Sequence, residues 1–246
     1  MDTTTYVALS NQLVLQRQLD VTANNLANMD TPGFKLESLM VQTDPETLPT
    51  PAKNSGGPSV VNFVLDGGVA RDFSAGPVKK TDAPFDLAIE GQGFFGVSTP
   101  AGIRYTRDGR FGLDSAGQLV TRTGQPVQGE GGPIIVDPKL GAVHIAADGT
   151  MSQGAQAIGK ISVVAFASLS GLSKEGDGLY SNVSNVPPQA GTGRILQGAL
   201  ESSNVEPMSQ MTQLIKVQNA YAMVSQMLVN VSDLSKAAVD RLGRLS

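Results

Sequence analysis

Leu214-Ile215-Lys216-Val217-Gln218-Asn219-Ala220-Tyr221-Ala222-Met223-Val224-Ser225-Gln226-Met227-Leu228-Val229-Asn230-Val231 is the stretch on which the fold turns. Apolar residues return at alternating steps of three and four: Leu214, Val217, Tyr221, Val224, Leu228 and Val231. The frame continues through Ser235, Ala238, Leu242 and Leu245, and nine of these ten positions are apolar. A strand would repeat at every second residue, so the period is that of a helix with one narrow seam. Neither Gly nor Pro interrupts it between Leu214 and Leu242, and a seam kept over that length is the pattern of a coiled coil. Upstream, Ser203 and Glu206 have the spacing of a capping box, while Pro207 suits a first helical turn, so the two cues place the start differently. Arg241 and Arg244 lie where the helix dipole favours cations. A helix from Pro207 to Arg244 would be roughly 55 Å long.

The opposite end repeats the theme more weakly. Asp2 and Thr3 to Thr5 can cap a helix running to Met29, and Asp30-Thr31-Pro32-Gly33 stops it. A frame through Ala8, Gln12, Leu15, Leu19, Thr22, Leu26 and Met29 is apolar at five of seven positions. Between the ends, glycine takes over. Of 28 glycines, all but Gly33, Gly56, Gly57 and Gly243 lie between Gly67 and Gly198. Helices exclude glycine and turns use it, so the middle is expected to be β.

Leu36 to Pro58 reads as a linker, and Val60 to Leu65 as a strand leading into an Asp66-Gly67-Gly68 turn. Phe85 to Glu90 and Phe94 to Ser98 flank Gly91-Gln92-Gly93, which reads as a hairpin. Arg104 to Arg107 and Arg110 to Leu113 flank Asp108-Gly109, a second hairpin signal. Leu119 to Thr121, Ile134 to Val136, Val143 to Ile145 and Ile161 to Ala167 continue the series. Short strands with frequent turns imply a sandwich or partly closed barrel. The expected fold class is therefore α+β: long N- and C-terminal helices pairing as a coiled-coil core, with a mainly antiparallel β domain between them. The expected division is 1–35 and 200–246 as helical assembly core, 36–70 as a linker with the first strands, and 71–199 as the β-rich domain.

Composition removes several function classes. The chain has 246 residues, no cysteine and a formal net charge of −4, and its 18 Lys and Arg form no cluster. Thiol chemistry and disulfides are excluded, and the basic patch expected for nucleic acid is missing. No apolar run approaches the roughly 18 residues of a membrane span. Met1 to Leu26 lacks the pattern of a secretory signal. Export, if it occurs, is expected without a cleaved leader.

Candidate chemistry is sparse. Gly91-Gln92-Gly93-Phe94-Phe95-Gly96 has the form of a dinucleotide loop, but a strand and turn follow it where a helix is needed. His144, the single histidine, sits in the apolar run Val143-His144-Ile145 and reads as a strand or core residue. Asp66, Asp72, Asp82, Asp86 and Glu90 form the densest acidic stretch, yet most adjoin Gly or Pro, where Asp stabilises turns. A glycan-cleaving enzyme using Asp82 and Asp86 across a cleft, or a carbohydrate-binding β module, remain the alternatives outside a structural role.

Several blocks together resemble the flagellar rod and hook family of bacteria. They are Ala23-Asn24-Asn25-Leu26-Ala27-Asn28 with Thr31-Pro32-Gly33-Phe34-Lys35, then Phe85-Asp86-Leu87-Ala88-Ile89-Glu90-Gly91-Gln92-Gly93-Phe94-Phe95. Tyr105-Thr106-Arg107-Asp108-Gly109-Arg110-Phe111 and Leu200-Glu201-Ser202-Ser203-Asn204-Val205 complete the set. The resemblance implies a structural rod subunit, of the proximal rod or alternatively the distal rod, with no cofactor and no reaction. It implies export through the flagellar type III apparatus and assembly in the periplasm with copies of itself and neighbouring rod proteins. The end helices would form the core of a hollow axle that transmits torque, with the β domain outward. The assembly residues so implied are Asn24, Asn25, Asn28, Leu15, Leu19 and Leu26 at one end. At the other they are Leu214, Val217, Tyr221, Val224, Leu228, Val231 and Leu242.

Overall fold

The computed structural model describes residues 3–47, 60–184 and 186–243; side chains are described except at 3, 4, 44–47, 60–65, 235 and 238–243. Asp2, Arg244 and Leu245, and the side chains of Ser235, Ala238, Arg241 and Leu242, therefore fall outside it. The elements, in order, are α1 (Thr3–Ala27), β1 (Glu37–Thr47), β2 (Val60–Arg71), β3 (Val78–Lys80), β4 (Leu87–Glu90), β5 (Phe94–Thr99) and β6 (Gly102–Thr106). They continue with β7 (Phe111–Leu113), β8 (Leu119–Thr121), β9 (Gln128–Gly129), β10 (Gly132–Pro133), β11 (Val143–Ile145), β12 (Thr150–Gln153) and β13 (Gln156–Lys160). The remainder are β14 (Val163–Ala165), β15 (Leu172–Lys174), β16 (Leu179–Asn182), β17 (Gln189–Ala190), β18 (Arg194–Gln197), β19 (Ala199–Glu201) and α2 (Pro207–Gly243). In chain order, one helix at each end flanks a mainly antiparallel β region.

Chain contacts divide the molecule into two compact units: Met1–Ala27, Glu37–Arg71 and Glu206–Ser246 in the first, Asn28–Leu36 and Asp72–Val205 in the second. In the first unit α1 and α2 lie antiparallel, since Gln12 Nε2 donates to Ser225 Oγ (3.1 Å) and Asn25 Nδ2 to Gln210 Oε1 (3.1 Å). The frame read in α2 is the face turned inward: Val217 is buried, and Leu214, Tyr221, Val224, Leu228 and Val231 are half-buried. Pro207 opens α2, and the first helical bond runs from Gln210 N–H to Glu206 O. Ser203 does not cap it; its hydroxyl accepts from Val205 N–H, before the helix begins.

The frame read in α1 needs rotation. Ala8 and Thr22 are buried as expected, but so are Val14, Val21 and Asn25, whereas Leu15, Leu19 and Leu26 are half-buried. Here α1 packs on the β1–β2 ribbon as well as on α2, and two neighbours require a wider face than a single seam. Met29 lies beyond the end of α1.

The linker reading of 36–58 also needs correction, because Glu37–Thr47 forms β1 and pairs along its length with β2. Asp66-Gly67-Gly68 is not a turn. It lies within β2, where the register shifts between Leu39 and Val41 and leaves an irregularity opposite those glycines.

In the second unit the largest sheet has six strands in the order β15-β16-β6-β5-β14-β17. β11-β12-β13 form a second sheet, and β18-β4, β19-β3, β7-β8 and β10-β9 are pairs. One core gathers Leu87, Ile89, Phe95, Phe111, Leu119, Val127, Ile134, Met151, Ile161 and Ile195 among others. A smaller aromatic one holds Phe94, Tyr105, Leu172 and Tyr180. Neither expected hairpin forms, because each strand pairs with other neighbours. β4 pairs with β18 and β5 with β6 and β14, so Gly91-Gln92-Gly93 joins two sheets. Likewise β6 pairs with β5 and β16, and β7 with β8, across Asp108-Gly109. Ile134 to Val136 makes only bridging bonds, from Leu119 N–H to Ile134 O and from Val136 N–H to Gly117 O.

Candidate functional site: end helices and a buried ion cluster

Between Pro207 and Ser232 the only charged residue is Lys216. With the inward seam satisfied, α2 still exposes Met208 (73%), Met211, Ile215, Met223 (71%), Met227, Val229 and Leu234 (71%). These positions lie outside the seam, interspersed with exposed Lys216, Gln218, Asn219, Gln226 and Asn230, so α2 carries apolar surface well beyond its covered face. Exposed apolar surface of that extent calls for further cover. On α1, Tyr6, Leu9 and Leu13 are exposed along one face of the first half. No helix among the described residues is long and apolar enough to cross a membrane.

Of the three asparagines named from the sequence, Asn25 makes the clearest structural contribution. It is buried, and its amide completes a strand-like pairing: Glu37 N–H donates to Oδ1 (3.0 Å) and Nδ2 donates to Glu37 O (2.7 Å). The same Nδ2 reaches Gln210 on α2. One side chain therefore registers α1, β1 and α2 against each other. Asn28 accepts from the Thr31 hydroxyl in the turn that ends α1, and Asn24 is exposed on that helix.

Sequence reasoning did not single out the cluster at the heart of the second unit. Lys35 Nζ donates to Glu201 Oε1 and to Ser74 O (2.7 Å). Arg107 Nη1 donates to Glu201 Oε2 (3.0 Å) and to Ile89 O (3.3 Å), and Nη2 to Gly91 O (2.8 Å). The guanidinium also lies 5.3 Å from the centroid of the Phe94 ring. Its Nε is buried with no partner among the described residues. The Lys35 and Glu201 side chains are 0% and 1% exposed. Burial pushes the Lys35 ammonium below its usual value, the hydrogen bond and charge of Glu201 pull it back, and Arg107 lowers it again. Nearby, Asn204 Oδ1 accepts from Leu36 N–H (2.8 Å) and its Nδ2 donates to Asp72 O (2.9 Å). Lys35, Arg107 and Glu201 each lie in a different signature block, and Arg107 stands beside Asp108 and near Arg110, so composition did not set it apart.

The residues weighed for catalysis sit apart in structural roles. His144 is exposed on β11. Asp66 Oδ1 accepts from Gly68 N–H at the irregularity within β2, and Asp72 Oδ1 accepts from Ser74 N–H two residues on, so both carboxylates are engaged by local backbone. Asp82 has φ of 60° and pairs with Lys80 at the surface. Gly91 and Gly93 take positive φ and lead into a strand, not into the helix N-terminus that would hold a pyrophosphate.

This is the layout of a structural protein. Family models match at three places along the chain: a flagella basal body rod protein model over residues 6–35, the flagellar hook protein FlgE/F/G D1 domain over 88–153, and the flagellar basal body rod FlgEFG C-terminal model over 196–241. A flagellar basal-body rod protein FlgF of Caulobacter vibrioides is 49% identical over all of both chains. The FlgF of Mesorhizobium japonicum is 35% identical, again over all of both. The FlgG of the same Caulobacter is 32% identical over 94% of this chain and 95% of its own. The chain belongs to the flagellar basal-body rod and hook family, whose members found here are structural rod proteins and not enzymes.

Proposed function

We propose that this protein is a structural subunit of the bacterial flagellar basal-body rod, and that it polymerises through its end helices. The observation that carries the proposal is α2, which exposes Met208, Met211, Ile215, Met223, Met227 and Val229 outside its seam and has a single charge between Pro207 and Ser232. Its inward seam is covered by α1; the remaining apolar surface calls for further helices from neighbouring copies and neighbouring rod proteins. In this reading α1 and α2 pair as a coiled coil and, with the β1–β2 ribbon that packs on α1, form the assembly core, while the β-rich unit is the outer domain of the rod. A head-to-tail contact that does not close on itself extends as a helical filament, here a hollow axle carrying torque. The same reading has the chain pass through the flagellar type III apparatus without a cleaved leader and assemble in the periplasm.

A proximal position rests on one comparison: within a single organism, Caulobacter vibrioides, the chain is 49% identical to FlgF and 32% identical to FlgG. Electron microscopy of purified basal bodies tests both levels. Density for this chain in the proximal rod, with α1 and α2 innermost, is the expected result. Density confined to the distal rod would overturn the position, and absence from the rod would overturn the function.

A further inference from the structure

The buried carboxylate of Glu201 collects three hydrogen bonds, two of them from cations. Its Oε1 accepts from Lys35 Nζ and from Gly76 N–H (3.1 Å), and its Oε2 from Arg107 Nη1 (3.0 Å). Its carbonyl accepts from Gly33 N–H (2.8 Å), and within β19 it pairs with Val78. Lys35 and Arg107 precede it by 166 and 94 residues. One buried anion therefore serves two buried cations, and it stands on the last strand of the unit. Desolvating either cation without its partner is strongly unfavourable. The remaining hydrogen-bond partners of Lys35 and Arg107, carbonyls of Ser74, Ile89 and Gly91, supply dipoles but no charge, and Asp72 exerts only the weakest of the influences on Lys35.

We propose that Glu201 is a latch that keeps the β unit open until its last strand arrives. In a chain made or threaded N-terminus first, residues 28–36 and 72–198 emerge before Glu201. Closing at that stage would bury Lys35 and Arg107 unpaired, so the incomplete unit stays open. Arrival of Glu201 neutralises the site and pins Gly33, Gly76 and Arg107 together in one step. The inference concerns closure of this unit alone and is independent of the rod assignment.

Refolding of the full-length chain followed by pulse-labelled amide exchange reads the order of closure directly. The amides of Leu87 and Leu119 donate within the central strands, to Gly109 O and Ile134 O, while those of Gly33 and Ser202 donate across the latch, to Glu201 O and Pro77 O. All four are expected to gain protection in one phase. Earlier protection of Leu87 and Leu119 overturns the proposal. Full-length Glu201→Gln keeps the shape and loses the charge, and its protease-accessible fraction is expected to rise on the order of a hundredfold. Adding Lys35→Met removes one stranded cation, so the double variant is expected to be no more accessible than Glu201→Gln alone. Losses that simply add, or a Glu201→Gln chain as resistant as wild type, would show a packing role without a charge latch.

Discussion

Gly109 is a residue whose type is set by a neighbouring backbone. It is buried, and a Cβ there would run into the carbonyl of Leu87. That approach lets Leu87 N–H donate to Gly109 O (3.0 Å) and brings β4 against the segment before β7. Gly109→Ala is expected to destabilise the protein by about 3 kcal/mol, read as a lower urea midpoint. The sequence marked Asp108-Gly109 as a hairpin turn; it is an irregular link between β6 and β7, which do not pair with each other. A dipeptide records the local backbone; it carries no information about which strands come to flank it. The same limit hid Lys35, Arg107 and Glu201, whose meaning arises only when three distant segments meet. Lys35 also predicts a pH effect. Its folded pKa lies below the unfolded 10.5, so between the two values the unfolded chain holds a proton that the folded chain has released. The burial penalty is present in full below the folded pKa and fades as pH rises toward 10.5. Arg107, Glu201 and Asp72 set that balance around the ammonium. The stability of wild type relative to Lys35→Met should therefore rise across that window. Comparing the two chains cancels Tyr105, whose phenol burial pushes upward and whose contribution runs the other way. Urea midpoints measured at several alkaline pH values check the sign, and a difference that falls with pH would contradict it.

The two helices show how far periodicity carries at the scale of elements. In α2 a single partner, α1, lies on the inward side, and the seam from Leu214 to Val231 could be read residue by residue. In α1 two partners, α2 and the ribbon, widen the buried face, and Val14 and Val21 escape a single-seam frame. β1 was hidden for another reason. Its Thr43-Asp44-Pro45 carries turn-type residues, and Pro is tolerated on a strand with a free edge, as in a two-stranded ribbon. The distinction between the faces of α2 gives a paired prediction. Leu228→Asp puts a charge into the inward seam and should weaken the α1–α2 pairing by about 2 kcal/mol, abolishing rod incorporation while the β unit stays folded. Met223→Gln with Met227→Gln changes only exposed positions. It should leave the far-ultraviolet circular dichroism of the isolated chain unchanged and still reduce incorporation into the rod. Normal incorporation of the second variant would remove the outer face of α2 from the assembly surface.

Taken as a whole, the molecule distributes its buried apolar surface unevenly between its two units. Among described residues the first unit buries Ala8, Val14, Val21 and Val217, with Thr22 and Asn25, whereas the second holds two clusters that include Phe94, Phe95, Phe111, Leu119, Met151 and Tyr180. Hydrophobic stabilisation scales with the area removed from water. Helices with a narrow covered seam are marginal on their own, and an isolated two-stranded ribbon is no sturdier. The isolated subunit should therefore behave as two bodies of unequal stability. In amide exchange on the free chain, Val217 to Val231 is expected to exchange orders of magnitude faster than Leu87, Phe95 and Leu119, because local opening of the first unit requires far less free energy than opening the second. On assembly, neighbouring helices would cover Met208, Ile215, Met223 and Met227 and supply the missing apolar contacts. Exchange across α2 should then slow toward that of the β unit. Slow exchange from Val217 to Val231 in the free chain would mean that α1 and the ribbon suffice to hold α2, and would remove the thermodynamic reason for the end helices to seek partners.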